Sequence, residues 1–443
     1  MPFPPSVAAL ILAVLAAVAA PVAAQQTRSG AGAFGGWRDD APGVRRLITA
    51  DDIGAAPRSG SVSNGSRVVP QPAGAALKVP DGFAVEKLVT GIASPRALAF
   101  APNGDLIVSD SHAGRVLALR FEGGRKLTAS AVFAEGLNQP YGLAFYPEAD
   151  PDWLYVATTN GLVRLPYAGE LTAAGPAEIL FDDIPGGGHW TRSIAFSPEG
   201  ETLFYSVGSQ TNVAEGLGAS PPGGIAGWEA LTGLGAAWGD EAGRALVYAM
   251  NSDGSNRRVW ATGLRNCSGM DVQRATGAVW CAVNERDGLG NDIPFDYATS
   301  VQDGGFFGWP WYSIGANADP RHSGARPDLA DRVRVPDVLF QSHSAPLNIR
   351  FYTADAFGSD YRGDAFVALH GSWNRDPRTG YKIVRLLIDE SGAPTGVYED
   401  FVTGFVIDDR SVWGRPVGIA VSPDGALYFS EDGNGTIWRV TRQ

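Results

Sequence analysis

One short unit recurs six times along the chain and constrains its fold more than any other feature. Each copy has an apolar residue second and another fourth, and three copies run into a Pro-x-Gly turn and a further strand. The six copies begin at Ala97, Gly142, Ser193, Gly269, Asn348 and Gly418. Their spacing of roughly 45 to 80 residues predicts an all-β, six-bladed β-propeller. A β-sandwich is the alternative, but sandwich strands do not normally repeat one unit six times.

Residues 1–24 are predicted to be a signal peptide. The chain is almost continuously apolar from Ala8 to Val22, and small residues precede Gln25, as a signal peptidase requires. This apolar run is short for a membrane-spanning helix, so an uncleaved anchor fits less well. The mature protein is therefore expected to be periplasmic or secreted and to have no membrane span.

The rest of the chain divides into a lead segment and one propeller. Residues 25–77 are rich in Gly, Ser, Ala and Arg, which predicts an irregular segment that lies over the propeller or is partly disordered. Residues 78–443 are expected to form the propeller itself. The apolar stretch from Phe83 to Val89 precedes the first repeat, and we expect it to close the ring by joining the last blade.

Charge and cysteine content limit the partners and the compartment. The 35 basic and 47 acidic residues give a formal net charge of −12, which argues against a nucleic-acid-binding surface. Cys267 and Cys281 would lie in an oxidising compartment, where a disulfide persists. A hairpin turn at Arg274 to Gly277 does not place them directly opposite each other. A disulfide and two buried thiols therefore both remain open.

Polar residues occur at the start of the inner strands. In a propeller the innermost strand of each blade lines the central channel, and the residues before it face one mouth. The residues in these positions are Arg96, Gln139, His189, Arg192, Arg265, Asn266 and Arg415. Guanidinium groups bind carboxylates bidentately, so converging arginines predict a pocket for a small ligand with several carboxylates.

Two later stretches are expected at the same mouth. The loop with Glu285, Asp287 and Gly288 offers hard oxygen ligands that suit Ca²⁺, although an Asx-rich turn explains its composition equally well. The strand before His370 is followed by three further candidate site residues, Trp373, Asn374 and Arg375. An aromatic-Gly run over residues 304–312 could wall a sugar ring or belong to the propeller core.

Several motifs together resemble a known family. They are GGGHWTRSIAFSPEG, LRNCSGMDV, VNERDGLGND with QDGGFFGWPW, HGSWNR with GYKIVRL, and GRPVGIAVSPDG. In order and number they are similar to the sorbosone dehydrogenase/pyranose dehydrogenase family. Its members are quinoprotein six-bladed propellers related to soluble aldose (glucose) dehydrogenases that use pyrroloquinoline quinone (PQQ). The resemblance covers roughly residues 78–443, and PQQ carries three carboxylates.

The resemblance implies a role for particular residues. It makes His189 the general base, Arg265 and Asn266 the pair at the quinone and its reacting carbonyl, and Arg415 and Arg375 basic cofactor contacts. The loop at Glu285, Asp287 and Gly288 looks like the one whose backbone carbonyls hold the PQQ-bound Ca²⁺. This chain has Asp287-Gly288 where the glucose-oxidising branch has a Gly-Pro pair, and one arginine near the last blade where that branch has two.

These features lead to one preferred hypothesis and two rivals. The preferred function is oxidation of an aldose, a pyranose or a sorbosone-type aldehyde hydrate. Hydride would pass to PQQ while His189 takes the proton, and an external electron acceptor would reoxidise the cofactor. The rivals are a Ca²⁺-dependent lactonase on the same fold and a non-enzymatic binding propeller. Fold alone does not choose among the three.

Overall fold

The computed structural model describes residues 1, 26–57 and 59–443, so the predicted signal peptide lies outside the described residues except for Met1. The described chain is built mainly of antiparallel strands grouped into six sheets. The first strand of each sheet carries one copy of the sequence repeat. The predicted six-bladed β-propeller is confirmed.

Each blade has four consecutive antiparallel strands from the inside outwards. Blade 1 contains Pro95–Phe100, Leu106–Asp110, Arg115–Glu122 and Lys126–Ala134, and blade 2 contains Leu143–Tyr146, Trp153–Thr158, Gly161–Pro166 and Glu178–Phe181. Blade 3 contains Ile194–Phe196, Leu203–Val207, Leu246–Met250 and Arg258–Thr262, and blade 4 contains Cys267–Gln273, Ala278–Val283, Tyr297–Val301 and Val338–Leu339. Blade 5 contains Pro346–Phe351, Ala365–Leu369, Lys382–Ile388 and Pro394–Val402, and blade 6 contains Pro416–Val421, Leu427–Glu431, Thr436–Arg442 and Phe83–Val89.

The outermost strand of blade 6 comes from the start of the propeller rather than its end. Phe83–Val89 pairs antiparallel with Thr436–Arg442, and Val85 lies opposite Val440. The six inner strands also contact one another in a closed ring, because the first inner strand touches both the second and the last. This closure is the one expected from the sequence, and it satisfies the edges that an open sheet would leave.

The close approach of the inner strands explains why the repeat often begins with glycine. A Cβ atom on Gly142 would lie 2.7 Å from the carbonyl oxygen of Arg192 in the next blade. A Cβ on Gly269 would lie 2.8 Å from the carbonyl oxygen of Leu347, and Gly418 meets the carbonyl of Arg96 in the same way. A side chain at these positions would push neighbouring blades apart.

Apolar side chains fill the spaces between neighbouring blades. Ile107 of blade 1 and Val156 of blade 2 belong to one buried cluster, and Tyr155 and Tyr205 belong to the next cluster around the ring. Face-to-face packing of sheets is the normal way in which each blade buries both of its faces. The polar residues that start the inner strands are thereby held on a rigid frame.

The lead segment packs against the propeller. Its strands Arg28–Ser29 and Arg45–Leu47 extend blade 5 to six strands, and Arg67–Val68 pairs in parallel with Ser411–Val412. The remaining short strands are Gly305–Phe306, which pairs in parallel with blade 3, and the hairpin Tyr312–Ser313 with Asn317–Ala318.

Helices are few among the described residues. The α-helices are Asp52–Ala55 and Gly224–Thr232, and the 3₁₀-helices are Gly30–Ala33, Trp37–Asp39, Gly239–Glu241, Pro320–His322, Pro327–Arg332 and Ser359–Tyr361. Within the described ranges no helix is both long and apolar enough to cross a membrane.

Cys267 and Cys281 form a disulfide, which settles the question that the sequence left open. In the hairpin register Cys267 lies opposite Val283, and Cys281 lies opposite Met270. The two cysteines are therefore not direct cross-strand partners, as expected. A register shift between Cys267 and Gly269 accompanies a Cα–Cα distance of 5.3 Å between the cysteines, which is within the range that a disulfide spans.

Candidate active site

His189 is presented at the mouth of the channel in a defined orientation. Its backbone N–H donates to the carbonyl oxygen of Ser209 at 3.0 Å, and its Nδ1 lies 2.9 Å from the same oxygen. Because a carbonyl oxygen only accepts, Nδ1 carries the proton of the neutral ring. Nε2 therefore keeps its lone pair, and it makes no hydrogen bond to any described residue.

The surroundings of His189 favour its neutral form. Burial lowers the pKa of His189 from 6.5 to about 3, and the positive charge of Arg265 lowers it further, followed by the charges of Arg192 and Arg244. A neutral imidazole with a free lone pair is the state that a general base requires. The site thus holds a proton acceptor that remains unprotonated over the ordinary pH range.

Two buried arginines hold the turn that carries His189. Arg192 donates to the carbonyl oxygens of Thr191 at 2.9 Å and Pro185 at 3.0 Å. Arg244 donates to the same Pro185 carbonyl at 2.8 Å and to the Gly187 carbonyl at 3.3 Å. These contacts fix the glycine-rich turn. The cofactor contact predicted for Arg192 stays a prediction.

His189 and Asn266 meet over Gly208. A Cβ atom on Gly208 would lie 2.6 Å from the Cβ of His189 and 3.2 Å from the Cγ of Asn266. Asn266 Nδ2 donates to Asn284 Oδ1 at 2.8 Å, whereas its own Oδ1 is buried without a hydrogen-bond partner among the described residues. The missing side chain at Gly208 is what allows the base and the amide to approach each other.

Arg265 is the link between His189 and the loop after Asn284. Its guanidinium donates to Asn212 Oδ1 at 3.0 Å, to the Asn212 carbonyl at 3.1 Å and to the Glu285 carbonyl at 2.8 Å. The carboxylate of Asp287 lies 3.6 Å from Nη2. Arg265 is buried and its donors are already paired, so its positive charge, rather than a free fork, is what it offers to the site.

The predicted metal loop contains two buried carboxyl groups. The Glu285 N–H donates to Asp296 Oδ1 at 2.8 Å. Burial raises the pKa of Glu285 to about 8 and that of Asp296 to about 7. Asp287 is only partly buried, and its carbonyl accepts from Asn212 Nδ2 at 3.0 Å. Gly288 is exposed and has a φ of +88°, which suits glycine.

On the other side of the mouth, one carboxylate joins two of the predicted arginines. Asp432 forms a short ion pair with Arg96 and accepts from His370 Nε2 at 2.9 Å. His370 Nδ1 accepts from Arg415 Nη2 at 2.9 Å. Burial, followed by the charge of Arg415, lowers the pKa of His370 to about 4. The guanidinium of Arg96 also lies 5.4 Å from the ring centroid of Trp190.

The structure brings some of the remaining predicted residues to the mouth and ties others elsewhere. Asn374 Nδ2 donates to Asp287 Oδ1 at 2.7 Å, and Trp373 beside it is 51% exposed. Gln139 is half-buried and its Oε1 accepts from Thr159 at 3.2 Å. Arg375 donates to the lead segment and to Asp292 at 2.6 Å. Its predicted cofactor contact stays a prediction.

Unpaired buried atoms show which ligand chemistry this mouth suits. Those without a hydrogen-bond partner among the described residues include the Nε donors of Arg96, Arg192 and Arg415, and the acceptor oxygens Asn266 Oδ1, Glu285 Oε1 and Asn374 Oδ1. A buried polar atom left unpaired is costly, so a ligand that pairs with it gains that energy. The donors suit a polyanion and the oxygens suit a hard cation.

Sequence reasoning missed several residues of the site. Arg244 lies in an insertion of blade 3 that matches no repeat, so nothing local marks it. Asp432 had a signal: the second strand of blade 1 ends in Asp110, and that of blade 6 ends in Glu431, just before Asp432. His370 was part of a quoted motif, but its bridge between Arg415 and Asp432 depends on the fold.

A separate cavity lies at the opposite end of the channel. It has a volume of about 1070 Å³ and is lined by the turns that follow the inner strands, including Pro102, Glu148, Pro198 and Pro423. His189 precedes its inner strand, whereas these residues follow theirs. The cavity is therefore distinct from the polar mouth described above.

The fold and the mouth define a six-bladed propeller with a histidine between cationic and oxygen-rich walls. The TrAA12-like family model matches residues 77–299 and 321–443, and the chain belongs to this family. The family predicted from the motifs is thereby confirmed. A curated relative from Coprinopsis cinerea, a pyrroloquinoline quinone-dependent pyranose dehydrogenase, is 24% identical over 83% of this chain and 54% of its own length. This chain thus spans about half of that relative.

Two solved structures are similar in fold. The holo form of the pyranose dehydrogenase PQQ domain from Coprinopsis cinerea gives a TM-score of 0.69 at 22% identity, over 85% of this chain and all of that one. The calcium structure of the Trichoderma reesei enzyme of Carbohydrate-Active Enzymes Family AA12 gives 0.67 at 22% identity, over 86% of this chain and 99% of that one.

Proposed function

We propose that this protein is a PQQ- and Ca²⁺-dependent oxidoreductase that oxidises a sugar at a CH–OH or aldehyde-hydrate group, with His189 as the general base. The observation that carries the proposal is the free Nε2 of a neutral histidine placed with unpaired donors and unpaired acceptors at one mouth. The PQQ-containing relatives named above support the choice of cofactor.

The residues present fit both groups. The Nε atoms of Arg96 and Arg415 are buried and unpaired, so they can donate to the carboxylates of PQQ. The unpaired oxygens of Asn266, Glu285 and Asn374 are the hard ligands that Ca²⁺ prefers. When bound, PQQ supplies the two-electron acceptor for the carbon-bound hydrogen of the substrate, and Ca²⁺ supplies positive charge beside it.

The chain's own residues then have defined tasks. His189 Nε2 takes the proton of the substrate hydroxyl, while the Ser209 carbonyl holds the Nδ1 proton and stabilises the imidazolium that forms. Arg265 keeps His189 neutral before the reaction and places positive charge where the substrate oxygen becomes negative. Arg192 and Arg244 keep the turn, and therefore the base, in place.

The decisive experiment is reconstitution of metal-free apoprotein. PQQ and CaCl₂ are added together and separately, binding is followed by the absorbance of PQQ, and dye reduction is measured over a panel of aldoses, pyranoses and aldehyde hydrates. We expect binding and activity only with both additions. A protein that binds PQQ but oxidises no sugar, or that hydrolyses sugar lactones instead, would contradict the proposed reaction.

Variants separate cofactor binding from proton transfer. Arg415→Gln should weaken PQQ binding by roughly 30- to 5,000-fold, which corresponds to about 2 to 5 kcal/mol for a desolvated charge pair. Arg125→Gln is the matched control, since Arg125 is exposed and pairs with Glu86 on an outer strand. His189→Ala should retain PQQ and lose roughly 10²-fold or more in kcat. Equal PQQ affinity in both arginine variants would refute the anion pocket.

We also propose that the protein is exported with residues 1–24 removed. The apolar run and the small residues before Gln25 support this. Intact mass measured on the protein recovered from the periplasm or medium should correspond to a chain that starts near Gln25, and a mass retaining those residues would contradict it.

A further inference from the structure

Residues 59–69, which we call the strap, cross the rim of the mouth from blade 4 to blade 6. At one end the Ser59 hydroxyl accepts from the Asn291 N–H at 3.4 Å. At the other end the Val69 carbonyl accepts from Asn434 Nδ2 at 3.1 Å. The family match begins at residue 77, so the strap lies outside the part of the chain that the family defines.

One strap residue, Asn64, uses all of its donors and its side-chain acceptor on a single loop. Its backbone N–H donates to the Trp373 carbonyl at 2.6 Å, and its Nδ2 donates to the Arg375 carbonyl at 2.9 Å. Its Oδ1 accepts from Arg378 Nη2 at 3.1 Å. Asn64 therefore fixes the backbone on both sides of Asn374.

The same loop is held from its other side by an earlier part of the lead segment. Arg375 donates to the carbonyl oxygens of Phe34 and Gly35, the latter at 3.2 Å. The Trp37 N–H donates to the Arg378 carbonyl at 3.0 Å. Residues 373–378 are thus clamped between two pieces of chain that the propeller itself does not supply.

The clamped loop reaches the predicted metal loop. Asn374 Nδ2 donates to Asp287 Oδ1 at 2.7 Å and lies 3.2 Å from His343 Nδ1, and its Oδ1 is buried without a partner. Trp373 is half exposed although its backbone is fixed. An exposed aromatic ring on an immobilised backbone is suited to contact a ligand in the mouth.

We infer that the strap is a working part of the active-site mouth, and that Asn64 is a positioning residue that sets Trp373 and Asn374 against the loop containing Asp287. The consequence for cofactor affinity rests on the proposed function, whereas the positioning itself does not. Removing the side chain of Asn64 takes away two hydrogen bonds that hold the loop, so the loop should become mobile while the propeller stays folded.

The first arm of the test uses apoprotein and needs no cofactor. The fluorescence of Trp373 is obtained as the difference between a protein and the same protein with Trp373→Phe. Asn64→Ala should increase iodide quenching of this component, and Asn64→Asp, which keeps an acceptor for Arg378, should increase it less. Ser63→Ala is the matched control, because Ser63 is exposed and its side chain bonds to no described residue. Unchanged quenching in Asn64→Ala would overturn the inference.

The second arm measures PQQ affinity in a double-mutant cycle. Asn64→Ala should weaken binding by roughly tenfold, the usual scale for loss of hydrogen bonds at a fixed loop. The effect should vanish when Asn374 is already alanine, because Asn64 would act through that residue. Additive losses with an unchanged thermal midpoint would refute the positioning role. If no variant binds PQQ, the proposed function fails, and the quenching arm still decides the role of the strap.

Discussion

Gly208→Ala tests the arrangement of the base most directly. The backbone of Gly208 is not in the left-handed region, so alanine can adopt its conformation. The new Cβ would nevertheless lie 2.6 Å from His189 Cβ, about 0.8 Å closer than the 3.4 Å at which ordinary contacts begin, and it would also meet Asn266. A displacement of about 1 Å at a reacting group can cost roughly 10²-fold in rate, and we expect a loss of that size in kcat.

The assay is dye reduction by the reconstituted protein, with PQQ content and thermal midpoint measured on the same sample. Gly227→Ala is the matched control, since Gly227 lies in the helix Gly224–Thr232 and its Cβ would meet no atom within 4 Å. Gly208→Ala with full PQQ content and a near-normal kcat would show that His189 need not occupy the observed position, and the assignment of the base would fall.

Three further changes have expected outcomes. In kcat/KM plotted against pH, the acid limb of His189 should lie well below pH 6.5, because its lowered pKa keeps the active neutral form present in acid; a limb at pH 6.5 would contradict the observed burial. Cys281→Ala should lower the free energy of unfolding by about 3 kcal/mol, measured by denaturant titration against the oxidised protein, because it opens a loop with a sequence separation of 14. Arg46→Met should lower the thermal midpoint clearly, whereas Arg38→Met should not.

The sequence predicted the frame of the molecule because the frame repeats. Each inner strand places apolar residues at fixed positions, and the glycines at 142, 269 and 418 are required by the neighbouring blade. Closure by Phe83–Val89 followed from the same reasoning, since a propeller leaves its last sheet one strand short. Local pattern and global packing agree at these positions, so either one predicts the other.

The partners of the site's charged groups were beyond sequence reasoning. Arg192 and Arg375 were placed at the mouth correctly, but their guanidinium groups bind backbone carbonyls of the Pro185 turn and the lead segment. Carbonyls are present at every residue and carry no sequence signal. Arg96 and Arg415 share Asp432 through contacts between blades that are far apart in the chain. Position could be predicted from the repeat, whereas hydrogen-bond partners required the fold.

Arg46→Met shows how strongly the lead segment belongs to the folded protein. Arg46 is fully buried and pairs with Asp400 at 2.9 Å and with Asp40 at 2.8 Å, and Lys382 pairs with the same two carboxylates at 2.8 and 2.7 Å. Removing Arg46 leaves two buried carboxylates with a single positive partner. Breaking a buried ion pair by deleting one member costs about 3 to 5 kcal/mol.

This loss can be converted into a shift of the midpoint. The entropy of unfolding is about 2.1 cal/mol/K per residue, or roughly 0.85 kcal/mol/K for a cooperative unit of about 400 residues, so the midpoint should fall by about 4 to 6 °C. Arg38 lies in the same lead segment but pairs with Asp409 at the exposed surface, and its replacement should leave the midpoint nearly unchanged. An equal midpoint for Arg46→Met and the parent protein would mean that the lead segment unfolds separately, and the strap could then not hold the loop at Trp373 in the folded state.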